Sequence, residues 1–352
     1  MGKVKVFCVT INTDPATIPP AVPGGLCVSG SIVIKLKKPV QVKYLNVQLH
    51  GESKCKWNEG SKGNARIYSS IDVLIDLEQE LIRSDESSPY VLNQGSHKVP
   101  FVFQVQADRH LPSSYACGQY GYGRIVYSLS ARMSQFGAIC HEKASLIIQV
   151  SNPVPLNMAL HEQPAVAEDS HTDCCLCCTS GPVIVTANIN KSGLAIGSGE
   201  TLKVELSVDN MKGMEITPKV CLIQMTKFRA QRNYKTLTKA ISAEKQLGQP
   251  IMPKTRHNRS SYVIGPIPPT VCGNINSTNN ILVSYMVSVT MKGSRFKLLH
   301  PIFLGTGQTP YPNSQFRGLS SEPEEDPDVP PMDYDSAMFA PSHPGQPAAV
   351  KY

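Results

Sequence analysis

One tryptophan stands among the 352 residues, and no apolar run approaches the ~20 residues that a membrane-crossing helix requires. The opening stretch MGKVKVFCVTINTDP lacks the apolar segment and small-residue cleavage site of a secretory signal. Met1-Gly2 starts like a myristoylation site, but Val6 fills the position where a hydroxyl is needed. Without a signal, the triplets Asn258-Arg259-Ser260 and Asn276-Ser277-Thr278 carry little weight as glycosylation sites. No 3.6-residue apolar pattern holds for three turns, which excludes a helical fold. Catalytic signatures are missing as well. There is no G-x-S-x-G elbow, P-loop, GxGxxG turn or H-E-x-x-H helix. Gly121-Tyr122-Gly123 is no phosphate loop, because no helix follows it. No recognition helix, zinc finger or aromatic–basic signature points to nucleic acid. These absences fit a soluble, cytoplasmic, non-enzymatic protein without a cofactor.

What is present is alternation. Hydrophobic residues make up 41% of the chain, enough for real cores, and the length suits two domains and a tail. Ile32-Ile34-Leu36, Leu45-Val47-Leu49, Val99-Phe101-Phe103-Val105, Ile125-Tyr127-Leu129-Ala131 and Leu146-Ile148-Val150 each place one face inward at period two. A second series follows at Val183-Val185-Ala187-Ile189, Leu202-Val204-Leu206-Val208 and Val283-Tyr285-Val287-Val289. Gly, Pro, Asn and Ser punctuate the gaps. The expected class is all-β: two tandem antiparallel β-sandwich domains, immunoglobulin-like in architecture.

Breaks in the pattern set the boundaries. Residues 1–155 read as the first sandwich, 156–180 as a cysteine-containing linker and 181–306 as the second sandwich. Residues 307–352, rich in Pro, Ser, Gly and acids, read as a disordered tail. The formal net charge is +7, but the tail carries seven acidic residues against Arg317 and Lys351. The basic body therefore suits an anionic partner such as lipid headgroups or phosphorylated protein, or is simply a solubilising surface.

Several phrases resemble one family. Residues 22–57 (VPGGLCVSGSIVIKLKKPVQVKYLNVQLHGESKCKW) are similar to the opening of the α-arrestins, the arrestin-domain-containing proteins. Residues 92–133 (LNQGSHKVPFVFQVQADRHLPSSYACGQYGYGRIVYSLSARM) resemble that family's most recognisable segment. CCLCCTSGPVIVTANINKSGLAIGSGETLKVELSVDN (174–210) resembles the start of its second domain, and ILVSYMVSVTMKG with LLHPIFLGT (281–306) its last strands. The resemblance implies an adaptor that binds membrane-protein cargo such as receptors or transporters and promotes endocytosis or sorting. It also implies recruitment to the plasma membrane or endosomes, and often the recruitment of a ubiquitin ligase. A stable arrestin-fold subunit of an endosomal coat is a variant of the same reading.

The ligase step is where this chain departs from the family pattern, which is Pro-Pro-x-Tyr for WW domains. Here Pro330-Pro331-Met332-Asp333-Tyr334 places one residue too many before the tyrosine. In polyproline II that turns the ring off its pocket by about a third of a turn, so weak WW binding at most is expected. Ser321, with Glu324 three residues on, resembles an acidophilic kinase site in a solvated charge run. A phosphate there would add charge for the basic body or a sorting protein to meet. Cys174, Cys175, Cys177 and Cys178 admit three readings: packing at the interdomain joint, S-acylation, or a metal or redox centre. A metal is disfavoured because one five-residue stretch wraps an ion poorly. Some relatives trap thioredoxin through a second-domain loop cysteine, but the corresponding stretch Met252–His257 has none, so that activity is not carried over. Cys272 reads as structural. The Asp72/Asp76 and Glu78/Glu80 carboxylates read as solvent-facing charges on an exposed strand or hairpin.

Overall fold

The computed structural model describes residues 3–306 except 13–16, 19–25, 61–64, 106–110, 118–121, 151–153, 155, 173, 176–177, 180, 242–245, 268–269, 272 and 274–277. Among the described residues the first domain contains ten strands: β1 (Val4–Ile11), β2 (Thr17–Ile18), β3 (Leu26–Leu36), β4 (Val40–Glu59), β5 (Arg66–Arg83), β6 (Tyr90–Leu92), β7 (Gly95–Val105), β8 (Tyr115–Ala116), β9 (Gly123–Gln135) and β10 (Glu142–Val150). A small sheet, β1-β3-β7, faces a larger one ordered β2-β10-β9-β4-β5, with β6 added to β4 and β8 to β9. The expected alternation is borne out: Ile32, Ile34, Leu45, Val47, Leu49, Phe101 and Leu129 are all buried in the core.

After the one-turn helix α1 (Met158–His161) come β11 (Ala165–His171), β12 (Cys174–Cys175), β13 (Cys178–Thr179), β14 (Val183–Ile189), β15 (Gly193–Ala195), β16 (Leu202–Asn210) and β17 (Thr217–Ala230). β18 (Asn233–Ala240), β19 (Gln246–Leu247), β20 (Thr255–Ile264), β21 (Ile281–Lys292) and β22 (Lys297–Gly305) complete the second domain. Its smaller sheet runs β11-β14-β16-β20 and its larger β15-β22-β21-β17-β18, with β19 on β17. The stretch expected to be a linker thus contains β11, paired antiparallel along β14. Thr255, Arg256 and His257, expected in a loop, open β20.

β4 and β5 decide how the domains meet. At 20 and 18 residues they exceed the usual 3–10 of a globular strand. At ~3.3 Å per residue β4 spans roughly 65 Å. Its first half supplies Leu45, Val47 and Leu49 to its own sandwich. Beyond Gly51 it overhangs: its inward residues Ser53, Cys55 and Trp57 are buried, and Ser53 and Cys55 bond to Asn280 and Arg229 of the second domain.

Candidate interaction surface

The overhang is fastened by side chains far apart in sequence. Asn280, fully buried, donates its amide to the Ser53 carbonyl at 2.8 Å and the Ser70 carbonyl at 3.3 Å, and accepts from the Ser53 hydroxyl at 2.5 Å. The next backbone N–H, that of Asn279, donates to Asp72 Oδ2 at 2.9 Å. Asp72 is therefore not a free surface charge, contrary to the expectation for that strand. The Cys55 thiol donates to the Arg229 carbonyl at 3.3 Å, and Tyr115 and Thr226 share a hydroxyl–hydroxyl bond of 2.8 Å. Burial pushes the Tyr115 phenol up to about 12 and raises the Cys55 thiol, so both are neutral packing groups rather than reactive ones. Gly123 is a contact point that admits no side chain. A Cβ there would lie 2.5 Å from Phe228 and 2.9 Å from Ile281.

The inner faces are occupied by cores and junction, and the outer faces of the two larger sheets are among the exposed surfaces. They differ in charge. On the first, carboxylates and cations mix: Gln48 and Asn46 donate to Asp76 and Glu78 at 2.6 and 2.8 Å, and Arg124 lies 3.7 Å from Glu52. An apolar strip of Ile67, Ile71 and Val73, each more than half exposed, continues along β5 toward the overhang. On the second, β15, β17, β18, β19, β21 and β22 contain no Asp or Glu at all. Alternation turns Lys219, Lys227 and Arg229 of β17 outward, together with Lys297 of β22. Residues 181–306 carry sixteen Lys and Arg against five Asp and Glu, whereas residues 1–155 carry sixteen against eleven. The excess positive charge of the body is mostly the second domain's.

Of the sequence candidates, Cys174, Cys175 and Cys178 lie in the β12–β13 hairpin, where Cys175 stands opposite Cys178. Cys177 lies outside the described residues, as do Cys272, Ser321, Pro330, Pro331 and Tyr334. Among the described residues no three His, Cys, Asp or Glu side chains converge as a metal site. No described helix is long and apolar enough to cross a membrane. The acid-free sheet was not anticipated, although its signal was in the sequence: residues 217–240 and 281–305 both lack Asp and Glu.

Two family profiles match in tandem: the N-terminal domain of arrestin (or S-antigen) over residues 22–157 and its C-terminal domain over 179–308. The chain belongs to the arrestin family. Among its relatives are arrestin domain-containing proteins, the α-arrestin branch. Arrestin domain-containing protein 1 of Mus musculus is 23% identical over 361 residues, covering 99% of this chain and 76% of that protein. Its Homo sapiens counterpart is 23% identical over 307 residues, 87% of this chain and 65% of that protein. Arrestin domain-containing protein 4 of Homo sapiens is 24% identical over 220 residues, 60% of this chain and 51% of that protein. The α-arrestin resemblance, read from four collinear phrases, and the all-β class are thereby borne out. The junction and the outer faces can now be named as parts of an arrestin-type double sandwich.

Proposed function

We propose that this arrestin-family chain is a non-enzymatic adaptor in membrane-protein trafficking, binding receptors or transporters and promoting their endocytosis or sorting. The observation that carries the reading is the tandem family match across both sandwiches. The geometry supports it. Buried tyrosine and cysteine hydroxyls and thiols are held neutral at the junction, while broad sheet faces are left for contact. The adaptor works in the cytoplasm and is recruited peripherally to the plasma membrane or endosomes, with its basic second domain toward anionic surfaces. Linkage to a WW-domain ubiquitin ligase through Pro330, Pro331 and Tyr334 is the weaker part, given the extra residue in that motif. Proximity labelling in cells with the full-length chain tests the reading. Enrichment of transporters or receptors is the expected result, and labelling of neither membrane proteins nor ubiquitin machinery sinks it. Stable, stoichiometric co-purifying partners would favour the coat-subunit form over transient cargo binding.

A second reading rests on one observation, the register that sets Cys175 opposite Cys178. It is a metal- or redox-linked regulator acting through the cysteine hairpin. Stoichiometric zinc in the purified protein would put this reading first.

A further inference from the structure

The end of the first domain opposite the overhang gathers the β3–β4 turn (37–39), the loop between β5 and β6 (84–89) and the tip of the β9–β10 hairpin (136–141). Register brings them together: Val42 of β4 pairs with Tyr90 of β6 on one side and with Gln135 of β9 on the other. A turn in water is usually built from Gly, Asn, Asp, Ser and Pro. Here Phe136-Gly137-Ala138-Ile139-Cys140 runs five residues without a charged side chain, and Ile139 is 98% exposed. Tyr90 and Val91, about half exposed, stand on β6 at the same end. Such a run of exposed apolar residues is a fault in a soluble surface unless something covers it.

The tip is braced. The Phe136 N–H donates to the Gln41 carbonyl at 3.1 Å, the Ala138 N–H donates to the Gln135 carbonyl at 3.3 Å, and the His141 ring lies 5.8 Å from that of Tyr44. Cations stand around it. Lys37 and Lys38 are exposed on the β3–β4 turn, and Lys43 is exposed beside Val42. Arg132 and Lys143, both exposed, are directly opposite each other across the β9–β10 ladder, a like-charge pairing that costs a sheet stability. Among the described residues none of these five has a carboxylate within ion-pair distance. Of the acids at this end, Glu142 shares the inward face with buried Met133, and Glu86 is exposed in the β5–β6 loop. Asp85 is turned into that loop, accepting from the Ser87 hydroxyl at 2.7 Å and the Ser88 N–H at 2.8 Å.

We infer that this end of the first domain is an insertion tip for an anionic bilayer, entered by Ile139 with Tyr90 and Val91 beside it. Shape selects the occupant. A side chain left 98% exposed at the end of a hairpin has no walls around it, so a protein partner must supply the whole pocket, whereas a bilayer closes around any convex apolar shape. Charge agrees. Interfacial anchoring adds the burial of apolar area to the attraction of cations for anionic headgroups, and tyrosine is favoured at that depth. A second copy fits less well, because two tips ringed by Lys37, Lys38, Lys43, Arg132 and Lys143 repel each other.

The inference deepens the peripheral recruitment proposed above and rests on it for biological meaning, but its test stands alone. The purified full-length chain is co-sedimented with phosphatidylcholine vesicles, with and without phosphatidylserine. A fluorescent amino acid placed at position 139 reports insertion through quenching by nitroxide-labelled acyl chains. The wild-type chain binds the phosphatidylserine vesicles, and the probe at 139 is quenched there. Ile139→Asp lowers binding at least fivefold with an unchanged melting temperature, since the side chain contributes little to the core. Lys37→Glu with Lys38→Glu lowers it severalfold and weakens its dependence on salt. Val166→Asp, at an equally bare apolar position on β11 of the second domain, changes binding less than twofold. The inference is overturned if the wild-type chain does not bind phosphatidylserine vesicles, if Ile139→Asp binds as well as wild type, or if the probe at 139 stays unquenched. It is equally overturned if Val166→Asp loses as much, or if Ile139→Asp dissolves a dimer and leaves vesicle binding intact. Failure on vesicles together with labelling of receptors or transporters in cells would remove the tip and keep the adaptor. Insertion together with empty proximity labelling would keep the tip and remove the trafficking role.

Discussion

The two larger sheets of this molecule have the same antiparallel construction and different employment. The first domain's sheet is long: β4 and β5 run past their own sandwich, and their far halves become part of the second domain's wall. Its outer face mixes signs, with Asp76, Glu78 and Glu52 engaged by Gln48, Asn46 and Arg124. The second domain's sheet ends with its own sandwich, receives the overhang at β17, and has no carboxylate in any strand. Charges that neutralise one another locally make a polar surface without a preference for the sign of a partner. Charges of one sign make a field. The comparison gives the first sheet the long strands that reach the junction and the second sheet a surface charge of one sign.

The strongest way to break that division is to empty the largest buried side chain of the overhang. Trp57 is 2% exposed and stacks on Tyr68 at 5.4 Å. Trp57→Ala is expected to cost about 3–5 kcal/mol. Denaturant unfolding measures the loss, and hydrogen exchange locates it. If β17 and β21 lose protection along with β4 and β5, the overhang serves both domains; loss confined to the first domain breaks the description. Asn280→Ala is expected to cost about 1–3 kcal/mol, because the Ser53 and Ser70 carbonyls lose their buried donor. A double-mutant cycle with Ser53→Ala should show coupling, and strictly additive effects would count against a shared polar clasp. In the two-residue β17–β18 turn Gln231 and Arg232 have positive φ, 57° and 113°. Relaxing that turn by Gln231→Asn with Arg232→Gly should raise stability by about 1 kcal/mol. An unchanged or lower melting temperature would show that the turn costs nothing.

The smallest expected effect is pH dependence of the second domain. Burial holds His161 and His300 below the usual imidazole range near 6.5. A histidine with a depressed folded pKa favours folding in its neutral form. That stability is present above about pH 6.5 and is lost as pH falls through the folded value. Thermal melts between pH 7.5 and 5.5 should decline, and His300→Gln should flatten the decline. An identical slope in the variant would remove His300 from the account.

Much of the fold was legible because burial writes period two into a strand. Val183 to Ile189 and Val283 to Val289 could be placed by alternation alone. β18 and β20 could not, because edge strands such as NYKTLTKA and TRHNRSSYVI face water on most positions and their apolar signal is faint. β11 was hidden in a supposed linker for the same reason: Glu168, Asp169 and Ser170 on an edge look like loop residues. The junction left no local trace, since Ser53 and Asn280 lie 227 residues apart and each is an ordinary polar residue in its own neighbourhood. The acid-free sheet was visible in principle. Its two segments, 217–240 and 281–305, are separated in sequence, and only their pairing in β17–β21 joins two unremarkable gaps in acidity into one surface.

Site-specific photo-crosslinking in cells tests the adaptor account most directly, with one crosslinker at Thr236 on the outer face of β18 and another at Ser261 on β20 of the smaller sheet. The account predicts crosslinks from position 236 to membrane proteins, and few from position 261. Equal yields from both positions, or no membrane protein crosslinked from either, would contradict it.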